Sequence, residues 1–346
     1  MKVVVVGATG NVGTSVLAAL AGEPLVGSVV GLARRLPRAT FPKTRFAAAD
    51  VARDDLVPLF AGADAVVHLA WLIQPSRDRA RLRAVNVEGS RRVFDAVAAA
   101  GVPALVYASS IGVYSPGPDG PVDESWPRDG VPGAWYAQHK AETERLLDAL
   151  EARHPGLRVV RLRYTYAMKR EAASGQRRLF FGPFLPTSLF RPRLFPAVPD
   201  VPGLTVQLVH SDDVGDAYRR AIVSESARGP FNLAADPPLT PREIARTLHS
   251  RTVPLPRAVL RTAAAATWRA RLQPTSPDWV DLALGVPVLD TARARTELGW
   301  QPRRTAQETL LEWFAGLREH AGLPTPPLEP GRSLRELATR VGGSDR

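Results

Sequence analysis

The sequence predicts an α/β protein with a doubly wound parallel sheet and a smaller C-terminal cap. Val3 to Val6 form a uniformly apolar, β-branched run, as expected for a parallel strand covered on both faces. More apolar runs follow before residue 165 and alternate with helical segments, an order typical of a parallel sheet with helices on both faces. From Arg163 onwards this alternation gives way to prolines and aromatic residues.

Three glycines follow the first strand at equal spacing, at Gly7, Gly10 and Gly13. Residues without a Cβ allow backbone N–H groups to approach a pyrophosphate at the N-terminus of the next helix, which runs to about Leu20. The first interval is one residue wider than in the dinucleotide fingerprint G-x-G-x-x-G. The position directly after a strand favours a Rossmann-type dinucleotide site, and a tight strand-to-helix turn without a ligand is the alternative.

The ends of the second and third strands bear on the adenosine part of such a nucleotide. The second strand, 26–32, is followed by Ala33, Arg34 and Arg35. An acidic residue there would accept hydrogen bonds from a ribose 2′-hydroxyl, whereas arginine pairs with a 2′-phosphate. This favours NADP over NAD, although loop arginines are common in so arginine-rich a chain. Asp50, which ends the third strand, either accepts from the adenine amine or caps the next helix.

Tyr136 and Lys140 stand four residues apart on a predicted helix, so they share one face, one turn apart. Lys140 is one of only four lysines in 346 residues. The fifth strand, 102–108, leads to Ser110 at the carboxyl edge of the sheet, where ligands of doubly wound sheets gather. His68 ends a buried strand and is interpreted as a structural histidine.

Composition limits the other classes of function. The chain has no cysteine, which excludes disulfides and thiolate metal sites, and we predict no metal site. No apolar run is long enough to cross a bilayer and no secretion signal is recognisable, so we expect a cytoplasmic protein without membrane attachment. The formal charge is +11, but the arginines are scattered among 34 acidic residues, which argues against nucleic-acid binding. The expected partner is a small-molecule substrate.

The chain resembles an extended short-chain dehydrogenase/reductase of the NAD-dependent epimerase/dehydratase type. The resemblance runs from residue 1 to about 315 and rests on short motifs taken together. These motifs are Gly7-Gly10-Gly13, Asp50-Val51, His68-Leu69-Ala70, Asn86-Val87-Glu88-Gly89, Ser109-Ser110-Ile111-Gly112-Val113-Tyr114, Tyr136-x-x-x-Lys140, Val209-His210-Ser211-Asp212-Asp213-Val214, Asn232-Leu233-Ala234 and Glu297-Leu298-Gly299-Trp300-Gln301-Pro302.

The resemblance implies roles for these residues. Tyr136 would exchange a proton with a substrate oxygen, and Ser110 would hydrogen-bond the same oxygen. Lys140 would bind the nicotinamide ribose, and its ammonium together with the positive nicotinamide would lower the pKa of Tyr136. Hydride transfer belongs to the cofactor, NADP or NAD. The residues implied in cofactor binding are Gly7, Gly10, Asn11, Val12, Gly13, Arg34, Arg35, Asp50, Val51, Leu69, Ala70 and Lys140.

Two departures from the family pattern bear on the substrate. Sugar-nucleotide dehydratases of this type carry an Asp-Glu pair just after the serine, where this chain has Ile111-Gly112, so dehydration by that route is not expected. After the sixth strand, Tyr164 and Tyr166 replace a small-residue turn. The two tyrosines would line the nicotinamide pocket, and the apolar Trp71-Leu72-Ile73 with the aromatic segment 180–186 favours a hydrophobic substrate. The candidate substrate-binding residues are Trp71, Tyr164, Tyr166, Phe180 and Phe184.

The sequence therefore predicts an NAD(P)-dependent oxidoreductase that interconverts a carbonyl and an alcohol on a hydrophobic small molecule. Two alternatives stay open: a nucleotide-sugar epimerase with tightly bound NAD, and a non-catalytic NAD(P)-sensing interaction protein. The family also leads us to expect a homodimer formed through helices 78–100 and 136–153. The expected domains are an NAD(P)-binding domain at 1–165 to which 205–233 return, a substrate-binding cap at 166–204 and 234–325, and a tail at 326–346.

Overall fold

The computed structural model describes residues 1–74, 76–118, 120–182, 184–185 and 187–330. Their strands, in chain order, are β1 (Lys2–Val6), β2 (Ser28–Ala33), β3 (Thr44–Ala48), β4 (Ala65–His68), β5 (Ala104–Ala108), β6 (Pro121–Val122), β7 (Arg158–Tyr164), β8 (Tyr166–Met168), β9 (Val198–Asp200), β10 (Leu208–His210), β11 (Gly229–Leu233), β12 (Thr252–Pro254) and β13 (Val288–Leu289). The central sheet has seven strands in the order β3-β2-β1-β4-β5-β7-β11, and all neighbours are parallel. The predicted α/β fold with a doubly wound parallel sheet is therefore confirmed.

Most helices lie close to where the sequence predicts them, whereas the helix at 278–285 was not predicted. In chain order the helices are α1 (Asn11–Ala21), α2 (Val57–Phe60), α3 (Arg79–Arg83), α4 (Gly89–Ala99), α5 (Trp135–Arg153), α6 (Ala173–Gln176), α7 (Ser211–Val223), α8 (Pro241–Thr247), α9 (Arg257–Arg269), α10 (Asp278–Gly285), α11 (Ala292–Glu297) and α12 (Ala306–Arg318). The long helix predicted over 78–100 is interrupted, because a π-helical turn, Ala84–Glu88, joins α3 to α4.

Two apolar cores cover the two faces of the sheet. Successive side chains of a strand point to opposite faces, so Val3 and Val5 enter the core that includes α1 and α7, whereas Val4 and Val6 enter the core beneath α4 and α5. This double burial is why β1 reads as an unbroken apolar run. Helices α1 and α7 approach so closely that a Cβ on Gly215 would lie 2.6 Å from the Ser15 carbonyl oxygen.

The cap is built from short paired strands and the later helices. The strands pair as β8 with β10, β9 with β12, and β6 with β13. Helix α12 supplies Trp313 and Phe314 to a separate apolar core of the cap. The helix start predicted at Thr240 is a complete capping box, in which Thr240 and Glu243 satisfy each other's backbone N–H groups. Within the described residues, no helix has the length and apolarity needed to cross a membrane.

Candidate active site

The glycine-rich loop between β1 and α1 is a tight cradle of backbone. Gly7 adopts a positive φ of 86°, and a Cβ there would lie 2.7 Å from the Ala70 nitrogen. A Cβ on Gly13 would lie 2.4 Å from the Gly7 carbonyl oxygen, so both positions require glycine. Gly10 precedes α1, whose first turn has no side-chain cap and no acidic residue. The loop therefore fits a pyrophosphate, because the helix N-terminus retains N–H groups to donate to an anion.

The structure brings other predicted cofactor residues to this edge of the sheet. Leu69 follows β4 and donates its N–H to the Val6 carbonyl at 2.8 Å, which places Leu69 and Ala70 beside Gly7. The Asn11 side chain is engaged elsewhere, because its amide donates to the Ala167 carbonyl and accepts from Ser211. Only the backbone of Asn11 therefore remains for the cofactor binding that the sequence predicts. Val12 packs against the main core.

The residues assigned to the adenosine end follow β2 and β3. Arg34 and Arg35 are exposed directly after β2. Asp50 follows β3, and its carboxylate accepts from the Ala52 N–H at 3.0 Å, so it caps a turn rather than the helix. Val51 is buried, and it lies so close to α4 that a Cβ on Gly89 would meet it at 2.9 Å.

Ser110, Tyr136 and Lys140 meet at the carboxyl end of β5. The Ser110 hydroxyl accepts from the Gly112 N–H at 3.0 Å and lies close enough to the Tyr136 hydroxyl to affect its pKa. The Lys140 ammonium donates to the Ala108 carbonyl at 2.6 Å. A Cβ on Gly112 would lie 3.2 Å from Cε1 of Tyr136, so the missing side chain makes room for the tyrosine ring.

Burial shifts the pKa values of both Tyr136 and Lys140. Burial raises the pKa of Tyr136 to about 12, and the nearby Ser110 hydroxyl only partly opposes this. Burial likewise lowers the pKa of Lys140 well below its ordinary value, opposed by the charge of Glu144. Lys140 is not among the groups that shift the pKa of Tyr136 in this structure, and the lowering expected from Lys140 together with a bound nicotinamide stays a prediction. The Lys140 Nζ lies 3.6 Å from the centre of the Trp71 ring and 6.0 Å from that of Tyr136.

His68 has the structural role that its position predicts. The side chain is fully buried, and its Nε2 lies 2.9 Å from the Ser90 hydroxyl oxygen. Burial lowers the pKa of His68 to about 3, so the ring is neutral at physiological pH. It packs against the rings of Phe94 and Tyr107 rather than facing the site.

A buried ion pair behind the site was not anticipated. Glu144, one turn after Lys140, accepts two hydrogen bonds from Arg163, at 2.8 and 2.5 Å. The same carboxylate accepts from Ser109, the residue before the candidate catalytic serine. Arg163 also donates to the Tyr114 hydroxyl at 2.9 Å. The four-residue spacing of Lys140 and Glu144 was the available signal, because both therefore lie on the buried face of α5.

Asn86 is a second residue whose role the motif alone did not show. It lies in the π-helical turn, and its side-chain amide donates to the Leu72 carbonyl at 2.8 Å. Its carbonyl oxygen accepts from the Leu72 N–H at 2.7 Å. Gln74, two residues further, donates to the Leu179 carbonyl of the cap. Together these bonds fix the segment after β4 that carries Trp71.

Aromatic rings form a continuous wall above Tyr136, which we call the aromatic wall. Its members, which come from four separate segments, are Trp71, Tyr166, Phe180 and Trp279. Trp279 covers the Tyr136 ring at a centroid distance of 5.1 Å, and Phe180 contacts Trp279 at 5.1 Å. Within the described residues, the indole N–H groups of Trp71 and Trp279 and the Tyr166 hydroxyl have no hydrogen-bond partner. The wall thus combines apolar ring faces with polar groups that a ligand could engage.

The structure separates the remaining substrate candidates. Tyr164 packs against the main core, so it lies beneath the wall. Phe184 is 62% exposed and lies outside the wall. The nearby Pro183 and Pro186 lie outside the described residues. The sequence analysis did not single out Trp279, which lies in a stretch without a clear period, and only its residue type was a signal.

Comparison with known proteins agrees with this geometry. The model of the NAD dependent epimerase/dehydratase family matches residues 3–174. Uncharacterized protein Rv0501 of Mycobacterium tuberculosis is 30% identical over 370 residues, which cover 99% of this chain and 90% of that protein. Uncharacterized protein Rv2047c of the same species is 29% identical over 325 residues, but this chain spans only 31% of its length.

Solved structures share the fold. A UDP-glucose-4-epimerase from Stenotrophomonas maltophila, solved with NAD and formylated UDP-arabinopyranose, has a TM-score of 0.70 and 21% identity, covering 92% of this chain and 98% of that one. A short-chain dehydrogenase/reductase superfamily protein from Agrobacterium tumefaciens with bound NAD has a TM-score of 0.67 and 24% identity, with the same coverage. The chain belongs to the NAD dependent epimerase/dehydratase family.

Proposed function

We propose that this protein is an NAD(P)-dependent oxidoreductase that interconverts a carbonyl and an alcohol on a hydrophobic small molecule. The observation that carries the proposal is the meeting of Ser110, Tyr136 and Lys140 at the same sheet edge as the glycine cradle. Two hydroxyls close to each other can bind one substrate oxygen from two directions. The nicotinamide, when bound, would supply or accept the hydride.

The protonation of Tyr136 suits the proton-donating role in carbonyl reduction. With a pKa of about 12, the phenol is protonated at neutral pH and can donate a proton to a carbonyl oxygen. Oxidation of an alcohol needs the phenolate instead, which is scarce at that pH. Ser110 would donate a hydrogen bond to the same oxygen, and Lys140 would hold the ribose of the nicotinamide. We therefore assign Tyr136 as the general acid of a carbonyl reduction.

We propose NADP as the preferred cofactor. The basis is the pair Arg34 and Arg35, exposed after β2 where a ribose 2′-phosphate would lie. NAD is the nucleotide named for both solved neighbours, and it is the alternative. The glycine cradle and the uncapped start of α1 suit either nucleotide, because the pyrophosphate is common to both.

The aromatic wall supports a substrate with an apolar body and at least one polar group. Phe180 and Trp279 offer ring faces close to Tyr136, and the unpartnered N–H of Trp279 offers one hydrogen bond. A buried donor without a hydrogen-bond partner costs free energy, so a substrate with an acceptor at this place would bind more tightly. Dehydration through an acid at position 112 is disfavoured, because the Tyr136 ring fills the space beside Gly112.

A nucleotide-sugar epimerase with tightly bound NAD is the second candidate. It is supported by the overall likeness to a UDP-glucose-4-epimerase across 92% of this chain. Two of the cap arginines weaken it: Arg170 pairs with Glu319, and Arg178 donates to the carbonyls of Pro327 and Glu329, so neither is directed at a diphosphate. A non-catalytic sensing protein would not need the set of Ser110, Tyr136 and Lys140.

Turnover of reduced nicotinamide across a panel of substrates tests the proposal. The panel contains aryl ketones, alicyclic ketones and a UDP-sugar, each offered with NADPH and with NADH. We expect turnover of a hydrophobic carbonyl and its loss in Tyr136→Phe, with nucleotide binding retained. Unchanged turnover in Tyr136→Phe would refute the assigned mechanism. Epimerisation of the UDP-sugar without added nucleotide would establish the second candidate instead.

The expected homodimer and cytoplasmic location remain predictions. Helices α4 and α5, which would form the dimer interface, pack next to each other on one face of the sheet. Size-exclusion chromatography with light scattering would test the dimer.

A further inference from the structure

The segment after α12 folds back across the glycine-rich loop. Within residues 323–330, which we call the C-terminal strap, the Thr325 hydroxyl donates to the Thr9 carbonyl at 2.9 Å. Thr325 is fully buried. The Pro324 carbonyl accepts from the N–H groups of Arg38 and Ala39, at 3.0 and 3.1 Å, in the loop after β2. The strap therefore joins the two loops that flank the adenosine half of a dinucleotide in a doubly wound fold.

The other side of the strap is fixed to the cap. A Cβ on Gly175 would lie 2.7 Å from the Pro327 carbonyl oxygen, so α6 and the strap are in close backbone contact. Arg178 donates to the carbonyl oxygens of Pro327 and Glu329, at 3.0 and 2.6 Å. Leu328 is buried beneath this crossing. The strap thus connects the nucleotide half of the molecule to the substrate half.

The strap holds its own shape through backbone bonds. The N–H groups of Leu328 and Glu329 both donate to the Thr325 carbonyl at 2.9 Å, and the Leu323 N–H donates to the Leu328 carbonyl at 3.1 Å. These bonds close a compact turn around Thr325. The backbone of Thr325 is therefore held by the turn while its side chain is bonded to Thr9.

We propose that the C-terminal strap is part of the dinucleotide site, with Thr325 as a positioning residue that fixes Thr9 in the glycine-rich loop. The inference rests on the proposed function, because it requires the loop to hold a dinucleotide. A glycine-rich loop has much conformational freedom to lose, and few side chains of its own to restrain it. The hydroxyl of Thr325 supplies a restraint from outside. The strap also covers the adenosine end, so nucleotide release requires the strap to lift.

The rate of NADPH dissociation tests this directly. Preformed NADPH complex is mixed with excess NADP, and the loss of nicotinamide fluorescence is followed by stopped flow. We expect Thr325→Val, which keeps the shape and removes the donor, to release NADPH about fivefold faster, the effect of one buried hydrogen bond. Thr325→Ser should restore the slow rate, and the KM for the carbonyl substrate should change little in either variant.

Two shortened chains separate the strap from the residues that follow it. A stop after Pro330 keeps the strap and should leave the dissociation rate unchanged. A stop after Gly322 removes the strap and should raise the rate at least tenfold. If that chain does not fold, Thr325→Val decides, and a dissociation rate equal to wild type in this full-length variant overturns the inference. Failure of the full chain to bind either nucleotide would instead overturn the proposed function, and the inference with it.

Discussion

Replacing Glu144 by glutamine should destabilise the protein far more than the same change two residues earlier. Glu144 is fully buried and pairs with Arg163, which is only 1% exposed. The neutral amide would leave the Arg163 guanidinium without its hydrogen-bonded counter-charge, beside the buried Arg161 that also lies 3.6 Å from Glu144, and breaking a buried pair in this way costs about 3–5 kcal/mol. Glu142→Gln is the matched control, because Glu142 and its partner Arg83 have side chains 31% and 47% exposed. Such exposed pairs contribute only about 0–1 kcal/mol.

Urea denaturation of both variants measures the two free energies of unfolding. The pH dependence adds a second check. Burial alone would raise the pKa of Glu144, but the hydrogen bonds and charge of Arg163 hold it below the ordinary value of 4.5. A carboxylate with a lowered folded pKa stabilises the fold above its unfolded pKa, and this contribution is lost as the pH falls through the folded value. The difference between wild type and Glu144→Gln should therefore shrink below pH 4.5.

The same variant should lower kcat, because Glu144 also accepts from Ser109 and so holds the end of β5 beside Ser110. The reasoning fails if the free energies of unfolding of Glu144→Gln and Glu142→Gln differ by less than about 1 kcal/mol at neutral pH. It also fails if the difference between wild type and Glu144→Gln stays constant into acid.

Three further predictions concern the nucleotide and the substrate. Arg34→Ala should raise the Kd of NADPH about tenfold and the Kd of NADH little, as measured by fluorescence titration. An equal loss of affinity for both nucleotides would remove the case for NADP. Trp279→Ala should raise the KM for a hydrophobic carbonyl about tenfold, whereas Trp279→Phe, which keeps a ring face, should recover most of the loss; no change in either variant would place the substrate elsewhere. Because the pKa of Tyr136 is about 12, the initial rate of reduction should not fall between about pH 6 and 9, while alcohol oxidation should rise steeply with pH. An oxidation rate that levels off near pH 7 would show that the tyrosine ionises much earlier.

The sequence anticipates the features that depend on local pattern. The apolar run of β1 predicts its place in a sheet with two covered faces, and the spacing of Gly7 and Gly13 predicts a cradle that side chains would fill. The four-residue interval of Tyr136 and Lys140 predicts their shared helix face. These signals suffice because each is set by residues close together in the chain.

The features that the sequence does not show depend on contacts between distant segments. Trp279 reaches Tyr136 only because α10 of the cap folds over α5, and no periodicity carries that information. The raised pKa of Tyr136 follows from burial, which depends on the same closure. Thr325 and Thr9 are 316 residues apart, so nothing local marks their hydrogen bond. Sequence therefore locates the chemical groups, whereas the packed chain decides their protonation and surroundings.

The position of the Tyr136 ring between Gly112 and Trp279 limits how this enzyme can diverge. A side chain at position 112 would begin with a Cβ 3.2 Å from the ring, and Trp279 covers the opposite face at 5.1 Å. A Cβ at this distance requires the ring to move by a few tenths of an ångström. An Asp-Glu pair in place of Ile111-Gly112 would therefore press on the proposed general acid from one side, while Trp279 limits its movement on the other. Passage from this site to a dehydratase-like one thus couples position 112 to position 279, which is 167 residues further along the chain.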